Sequence, residues 1–134
     1  MKTKKNANSS ELFDGRKLKI VGSHLIAELV GCSFDSLNDE KKIKEAMLNA
    51  SAAANFTVLD ISIKKFDPQG VTAILLLSES HFSIHTWPEL GYAAVDMFTC
   101  SKNCDPNVAF KVLVNYLKPG KYTTKEMIRG PNGV

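Results

Sequence analysis

The alternation of apolar and polar positions changes period several times along the chain, and each change marks an element. Within Lys17 to Val30 (KLKIVGSHLIAELV), Leu25, Ala27 and Leu29 alternate with His24, Ile26 and Glu28. A strand puts two such sets on opposite faces, so this run is predicted to be a long strand, bent at Gly22. Gly31 to Asp35 reads as a turn, with Ser36 as a helix N-cap and Asp39 three residues on. Ile43, Ala46, Met47, Ala50, Ala53 and Ala54 then recur at helical spacing, with Lys41, Lys42, Lys44 and Glu45 on the wet side and Asn55 near the end. From Phe56 to Phe66 the period returns to two. Leu59, Ile61 and Ile63 are expected inward, Asp60, Ser62 and Lys64 outward. Asp67-Pro68-Gln69-Gly70 is a turn by composition. Val71 to Leu77 (VTAILLL) is nearly all apolar, which suits a buried central strand.

Two further strands, His81 to Thr86 and Tyr92 to Cys100, flank Trp87-Pro88-Glu89-Leu90-Gly91. Asp105 as N-cap and Pro106 at the first helical position open a second helix. Its apolar stripe is Val108, Ala109, Val112, Leu113, Tyr116 and Leu117, and Pro119-Gly120 stops it. Lys121 to Ile128 is predicted to be a short edge strand. The order β-α-β-β-β-β-α-β implies an α+β two-layer sandwich: a largely antiparallel sheet with two helices on one face. No helix is left for the other face. A layer that buries apolar side chains needs a partner, so pairing of sheets in a homodimer is expected. Residues 1–16 are polar and aperiodic and read as a disordered tail, leaving 17–134 as a single domain.

Composition narrows the function classes. The chain has 134 residues, 44% apolar and 23% charged, with 17 Lys and Arg against 14 Asp and Glu. Part of the positive excess sits in the tail at Lys2, Lys4 and Lys5, so the body is nearly neutral and unsuited to an extended nucleic-acid surface. Three cysteines (Cys32, Cys100, Cys104) make no even disulfide framework, and no apolar run reaches the ~20 residues of a membrane span. A soluble, cytoplasmic protein with reduced thiols is expected.

Reactive groups crowd residues 75–100, LLLSESHFSIHTWPELGYAAVDMFTC, which hold two of the three histidines and the single tryptophan. On the predicted strands His81, Ser83 and His85 share one face, as do Tyr92, Ala94, Asp96, Phe98 and Cys100. Thr72 brings a hydroxyl that an apolar strand does not need for packing. Three chemistries compete. A metal site would draw on His24, His81, His85 and Cys100 or Cys104, but the strand-like context and the lack of an HExxH pattern speak against it, and no metal is assigned. A thiol hydrolase would pair Cys100 with His85. The third is self-processing at Glu79-Ser80, in which the serine hydroxyl attacks the preceding carbonyl. Loss of the Cα proton then expels the upstream chain, leaving a dehydroalanine that hydrolyses to a pyruvoyl group. Ser80, His85 and Thr72 could supply nucleophile, base and oxyanion donor. Spacing alone leaves the three open.

The pattern SESH…IHTWPE…GYAAVD.FTC closely resembles the processing segment of prokaryotic S-adenosylmethionine decarboxylases, which are pyruvoyl-dependent enzymes of spermidine synthesis. GSHLIAEL and KKFDPQGVT extend the resemblance over roughly residues 18–117. It implies cleavage between Glu79 and Ser80 into fragments 1–79 and 80–134, with a covalent pyruvoyl group made from Ser80. It also implies that His85 takes the Ser80 Cα proton during processing and that Cys100 is the proton donor in decarboxylation. Where the family has a serine that assists processing, this chain has Thr72, which keeps the hydroxyl and adds a methyl. Phe66 corresponds to an aromatic that stacks on adenine, Glu89 is the choice for the ribose hydroxyls, and Trp87 lines the site. S-adenosylmethionine would form a Schiff base with the pyruvoyl ketone and lose carbon dioxide, the covalent group serving as electron sink. The family site lies at a dimer interface. Two alternatives stand beside this expectation: a pyruvoyl-dependent arginine decarboxylase on the same scaffold, and a non-processing regulatory homologue.

Overall fold

A computed structural model describes residues 21–131. The predicted tail (1–16), the first strand residues (17–20) and the C-terminal residues 132–134 lie outside this range. The elements are β1 (Gly22–Val30), α1 (Phe34–Leu37), α2 (Glu40–Ala53), β2 (Val58–Lys65), β3 (Val71–Leu77), β4 (Ser80–Trp87), a 3-10 turn (Pro88–Leu90), β5 (Tyr92–Thr99), α3 (Pro106–Leu117) and β6 (Lys121–Arg129). The six strands form one sheet in the order β2-β3-β4-β5-β1-β6. Every pairing in it is antiparallel. This is the expected α+β layer, with one additional turn of helix.

Period-two alternation decides what is buried. Leu25, Ala27 and Leu29 of β1, the alternate residues Val71, Ala73, Leu75 and Leu77 of β3, Phe82 and Ile84 of β4, and Ala93, Val95 and Met97 of β5 form one apolar face. Against it lie Ile43, Ala46, Met47 and Ala50 of α2 and Ala109, Phe110, Leu113 and Leu117 of α3. Burying each large side chain contributes about 1.5–3 kcal/mol. Of the polar groups buried with them, the Thr86 hydroxyl donates to the Leu37 carbonyl at 2.8 Å and accepts from the Val71 N–H at 2.9 Å, whereas Ser51 Oγ on α2 has no hydrogen-bond partner among the described residues.

Two local expectations are corrected. Leu59 is not inward: it is 60% exposed. The β2–β3 register slips between Val58 and Asp60, and this bulge turns Leu59 out while Val58 packs on the core. Ser36 is not the cap of the long helix. It lies inside α1, whose N-cap is Ser33, and the Asp39 carboxylate caps α2 by accepting from Lys42 N at 3.1 Å. Asp105 and Pro106 do begin α3 as expected.

The two long helices, α2 and α3, lie on one side of the sheet. The other face presents Ile26, Ile74, Leu76, Trp87 and Met127, each 40–60% exposed, around a set of polar groups. Among the described residues no helix is long and apolar enough to cross a membrane.

Candidate active site

The strand register sorts the expected site residues into two clusters at opposite ends of the sheet. At one end is the Ser78-Glu79 hairpin between β3 and β4, where Leu77 pairs with Ser80 and Ser80 with Thr99. That register brings Cys100 beside Glu79, and the Cys100 N–H donates to the Glu79 carbonyl at 2.9 Å. The Cys100 side chain itself is exposed. Ser80 has φ +141, a torsion that side-chain-bearing residues rarely adopt. Such a residue costs about 1–3 kcal/mol and persists only when its surroundings over-determine it. The residue that follows the expected cleavage bond is therefore strained, and the carbonyl oxygen of that bond already accepts from a fixed donor.

At the other end Thr72 pairs with His85 across β3–β4, and the Thr72 hydroxyl lies 3.0 Å from His85 Nδ1. His85 is followed by Trp87, ring centroids 6.5 Å apart, and Trp87 stacks on Tyr92 at 5.3 Å. The Tyr92 hydroxyl donates to Glu28; that bond, with desolvation and the Glu28 charge, pushes its pKa up to about 12. The β2–β3 turn folds onto this end. Gln69 Nε2 donates to Glu89 at 3.3 Å, and Phe66 N–H donates to the Gly70 carbonyl at 2.8 Å. Gly70, at φ +109, brings the turn so close to β4 that an added Cβ would stand 3.2 Å from the Thr86 carbonyl. Phe66 beside it is 45% exposed.

His85 and Ser80 are five residues apart on one strand, which at ~3.3 Å per residue is about 16 Å. Within one chain His85 therefore reaches neither the Ser80 Cα proton nor the Cys100 thiol. The thiol-hydrolase pairing of Cys100 with His85 has the same obstacle.

Between the clusters is a third group. Asp96 Oδ2 accepts from His24 Nε2 at 2.7 Å and His81 Nε2 at 3.1 Å, and Asp96 Oδ1 accepts from Ser83. Desolvation opposes the Asp96 charge, but the bonds from Ser83, His24 and His81 outweigh it and lower its pKa below the ordinary 3.8. His24, His81 and Asp96 satisfy a metal-ligand spacing. Arg129 argues otherwise. Its Nη1 lies 3.0 Å from His24 Nδ1 and can only donate, so the His24 proton sits on Nε2 and that lone pair is not free for a metal. The metal set considered from the sequence is dispersed: His85 lies at the far end, and Cys104 donates to the Asn55 carbonyl at 3.1 Å on another loop.

Sequence reasoning missed Asp96, although its place on the β5 face with Cys100 was a usable signal. It also missed Arg129, and the Cys100 N–H, which no side-chain pattern announces.

The chain is thus an antiparallel α+β layer with reactive groups divided between the two ends of a sheet whose second face carries no helix among the described residues. The S-adenosylmethionine decarboxylase family model matches residues 23–130. The chain is 46% identical over 113 residues to an S-adenosylmethionine decarboxylase proenzyme of Carboxydothermus hydrogenoformans, covering 84% of this chain and 89% of that one. It is 44% identical over 113 residues to the proenzyme so named in Methanococcus maripaludis, covering 84% and 93%. The crystal structure of the adenosylmethionine decarboxylase from Aquifex aeolicus superposes with a TM-score of 0.79 at 35% identity, covering 84% of this chain and 92% of that one. The chain belongs to the S-adenosylmethionine decarboxylase family.

Proposed function

We propose that the chain cleaves itself between Glu79 and Ser80 and then decarboxylates S-adenosylmethionine in a site shared by two copies. The observation that carries this is the strained Ser80, φ +141, following a carbonyl held by the Cys100 N–H at 2.9 Å. Ser80 Oγ attacks the Glu79 carbonyl carbon, an O–C bond forms, the C–N bond breaks, and the hydroxyl proton ends on the freed amine. The Cys100 N–H lies where negative charge develops on the carbonyl oxygen; a donor so placed is worth 10²–10³ in rate in other acyl transfers. Removal of the Ser80 Cα proton then releases fragment 1–79.

The base for that step comes from the second copy. Two open faces packing about a two-fold axis that crosses the strands near the middle of β4 set the Thr72/His85 end of one copy over the Ser80/Cys100 end of the other. Face-to-face sheets lie ~10 Å apart. That gap is spanned by side chains from both sides, whereas about 16 Å along one strand is not. The exposed Ile26, Ile74, Leu76 and Met127 supply apolar area for the contact. In this arrangement the partner's His85 takes the Ser80 proton, the partner's Thr72 orients that imidazole, and the partner's Phe66, Trp87 and Glu89 receive the nucleoside.

The residues at the hairpin fit a pyruvoyl group at position 80, because the N–Cα torsion that is strained ceases to exist when the nitrogen leaves as ammonia. When formed, the group supplies an electron-accepting carbonyl for loss of carbon dioxide. Cys100, exposed beside it, holds the proton delivered to the former α-carbon. The aromatic faces of Phe66 and Trp87 favour the positively charged sulfonium.

Intact mass of the purified protein, with carbon dioxide release from S-adenosylmethionine and from arginine, tests the proposal. Expected are fragments 1–79 and 80–134, the second with a blocked N-terminus, and release from S-adenosylmethionine. Release from arginine alone would assign the sister specificity. A single full-length chain that never cleaves would leave a non-processing homologue.

A further inference from the structure

The Glu79 side chain is not directed into the open face but back into the protein. Its Oε1 accepts from the Thr57 N–H at 2.9 Å, and in the same small circuit the Ser78 N–H donates to the Thr57 carbonyl at 2.9 Å. The Glu79 main-chain carbonyl is held on the opposite side by Cys100. The hairpin is thus gripped from two directions: by the α2–β2 linker through a side chain, and by the end of β5 through the backbone. Those two segments are themselves joined. Cys104 Sγ donates to the Asn55 carbonyl at 3.1 Å, Asn55 Nδ2 to the Asn103 carbonyl at 3.4 Å, and the Asp105 N–H to the Ala54 carbonyl at 3.3 Å. A two-residue hairpin loop held only by its ladder could relax a neighbouring strained torsion by rotating one peptide. With Glu79 fixed at both carboxylate and carbonyl, that rotation would break a hydrogen bond.

We infer that Glu79 is a positioning residue for self-cleavage: its carboxylate, bonded to the Thr57 N–H, keeps the following peptide and Ser80 in the strained geometry from which the serine attacks. This rests on the self-cleavage proposed above and adds a part to it. The carboxylate is suited to the task. Burial opposes its charge, yet the bonds from Thr57 and Ser78 prevail and hold its pKa below the ordinary 4.5, so it remains an acceptor throughout the neutral range. What the clamp uses is the acceptor oxygen, and glutamine retains one.

The test follows the disappearance of full-length chain after synthesis in a cell-free translation reaction, for wild type, Glu79→Gln and Glu79→Ala. The expected result is a tenfold or greater slowing for Glu79→Ala and recovery to within about threefold of wild type for Glu79→Gln. Hydrogen exchange of the Thr57 amide, read in an uncleavable Ser80→Ala background, should show protection that the Glu79→Ala double variant loses and the Glu79→Gln double variant keeps. Equal cleavage rates for wild type and Glu79→Ala overturn the inference. So does a glutamine variant as slow as alanine, because a general loss of fold or of charge, rather than an acceptor, would then be responsible. A wild-type chain that does not cleave refutes the proposed function itself, which keeps the two failures separate.

Discussion

Ser80 makes a prediction in which nucleophile and torsion are separable. Ser80→Ala and Ser80→Gly both remove the hydroxyl, so both should stay full length, and they differ by one methyl group. At φ +141 that methyl is the source of strain. A side-chain-bearing residue in such a region costs about 1–3 kcal/mol, whereas glycine enters it freely. Glycine carries its own cost of roughly 0.5–1 kcal/mol, from the larger entropy of the unfolded chain. The difference leaves Ser80→Gly more stable than Ser80→Ala by about 1 kcal/mol. For a domain of this size that raises Tm by about 3–4 °C. The measurement is thermal unfolding of both variants at one matched chain concentration, since any self-association adds a concentration-dependent term. A control fixes the sign. Ser62 lies in β2 among ordinary strand residues, and there glycine should be less stable than alanine by roughly 0.5–1 kcal/mol. If Ser80→Gly melts at or below Ser80→Ala, no strain is stored at the cleavage bond, and relief of strain drops out of the account of why it breaks.

Three further outcomes follow. Mixing Ser80→Ala with His85→Ala chains should restore cleavage of the His85→Ala chain, which keeps its own Ser80 and Cys100 and borrows a histidine from its partner; no cleavage in a verified heterodimer would return the site to one chain. Cys100→Ala should cleave yet lose about 10²–10⁴ in turnover, the usual worth of a positioned proton donor; full activity would remove Cys100 from the decarboxylation. Asp96→Ala leaves two imidazole N–H groups and the Ser83 hydroxyl without their acceptor, so denaturant unfolding at pH 7 should show a loss of about 1–3 kcal/mol. The folded pKa of Asp96 is depressed, so its contribution is present above the unfolded value and fades as pH falls through the folded one. The gap between wild type and variant should therefore hold near neutrality and close below the ordinary 3.8; a gap that widens in acid would contradict the assignment.

What a sequence makes legible here is the face on which a residue lies, and what it hides is the end. Period two placed Leu25, Ala27 and Leu29 inward, and His81, Ser83 and His85 together on the open side, because alternation is a property of a single strand. Whether His85 meets Ser80 depends instead on register and on distance along the strand. The family pattern carries both residues in one contiguous motif, which says nothing of the distance between them. The register supplies it: Ser80 stands opposite Thr99, while His85 stands opposite Thr72 and Ala94. Leu59 failed for a related reason, since a bulge shifts a face without changing the composition around it. The Cys100 N–H was invisible because every residue but proline carries one, and only the fold aims it at Glu79. These failures bear on the same physical point. A single sheet can hold the base on its open face and the nucleophile at its hairpin end, yet strand geometry keeps them about 16 Å apart. In the proposed dimer a second open face, turned end for end, would bring them within reach. The apolar residues that would join the copies, Ile26, Ile74 and Leu76, thus serve stability and chemistry by one arrangement. A charge placed among them, as in Ile74→Asp, should abolish self-cleavage while leaving the fold of each chain intact.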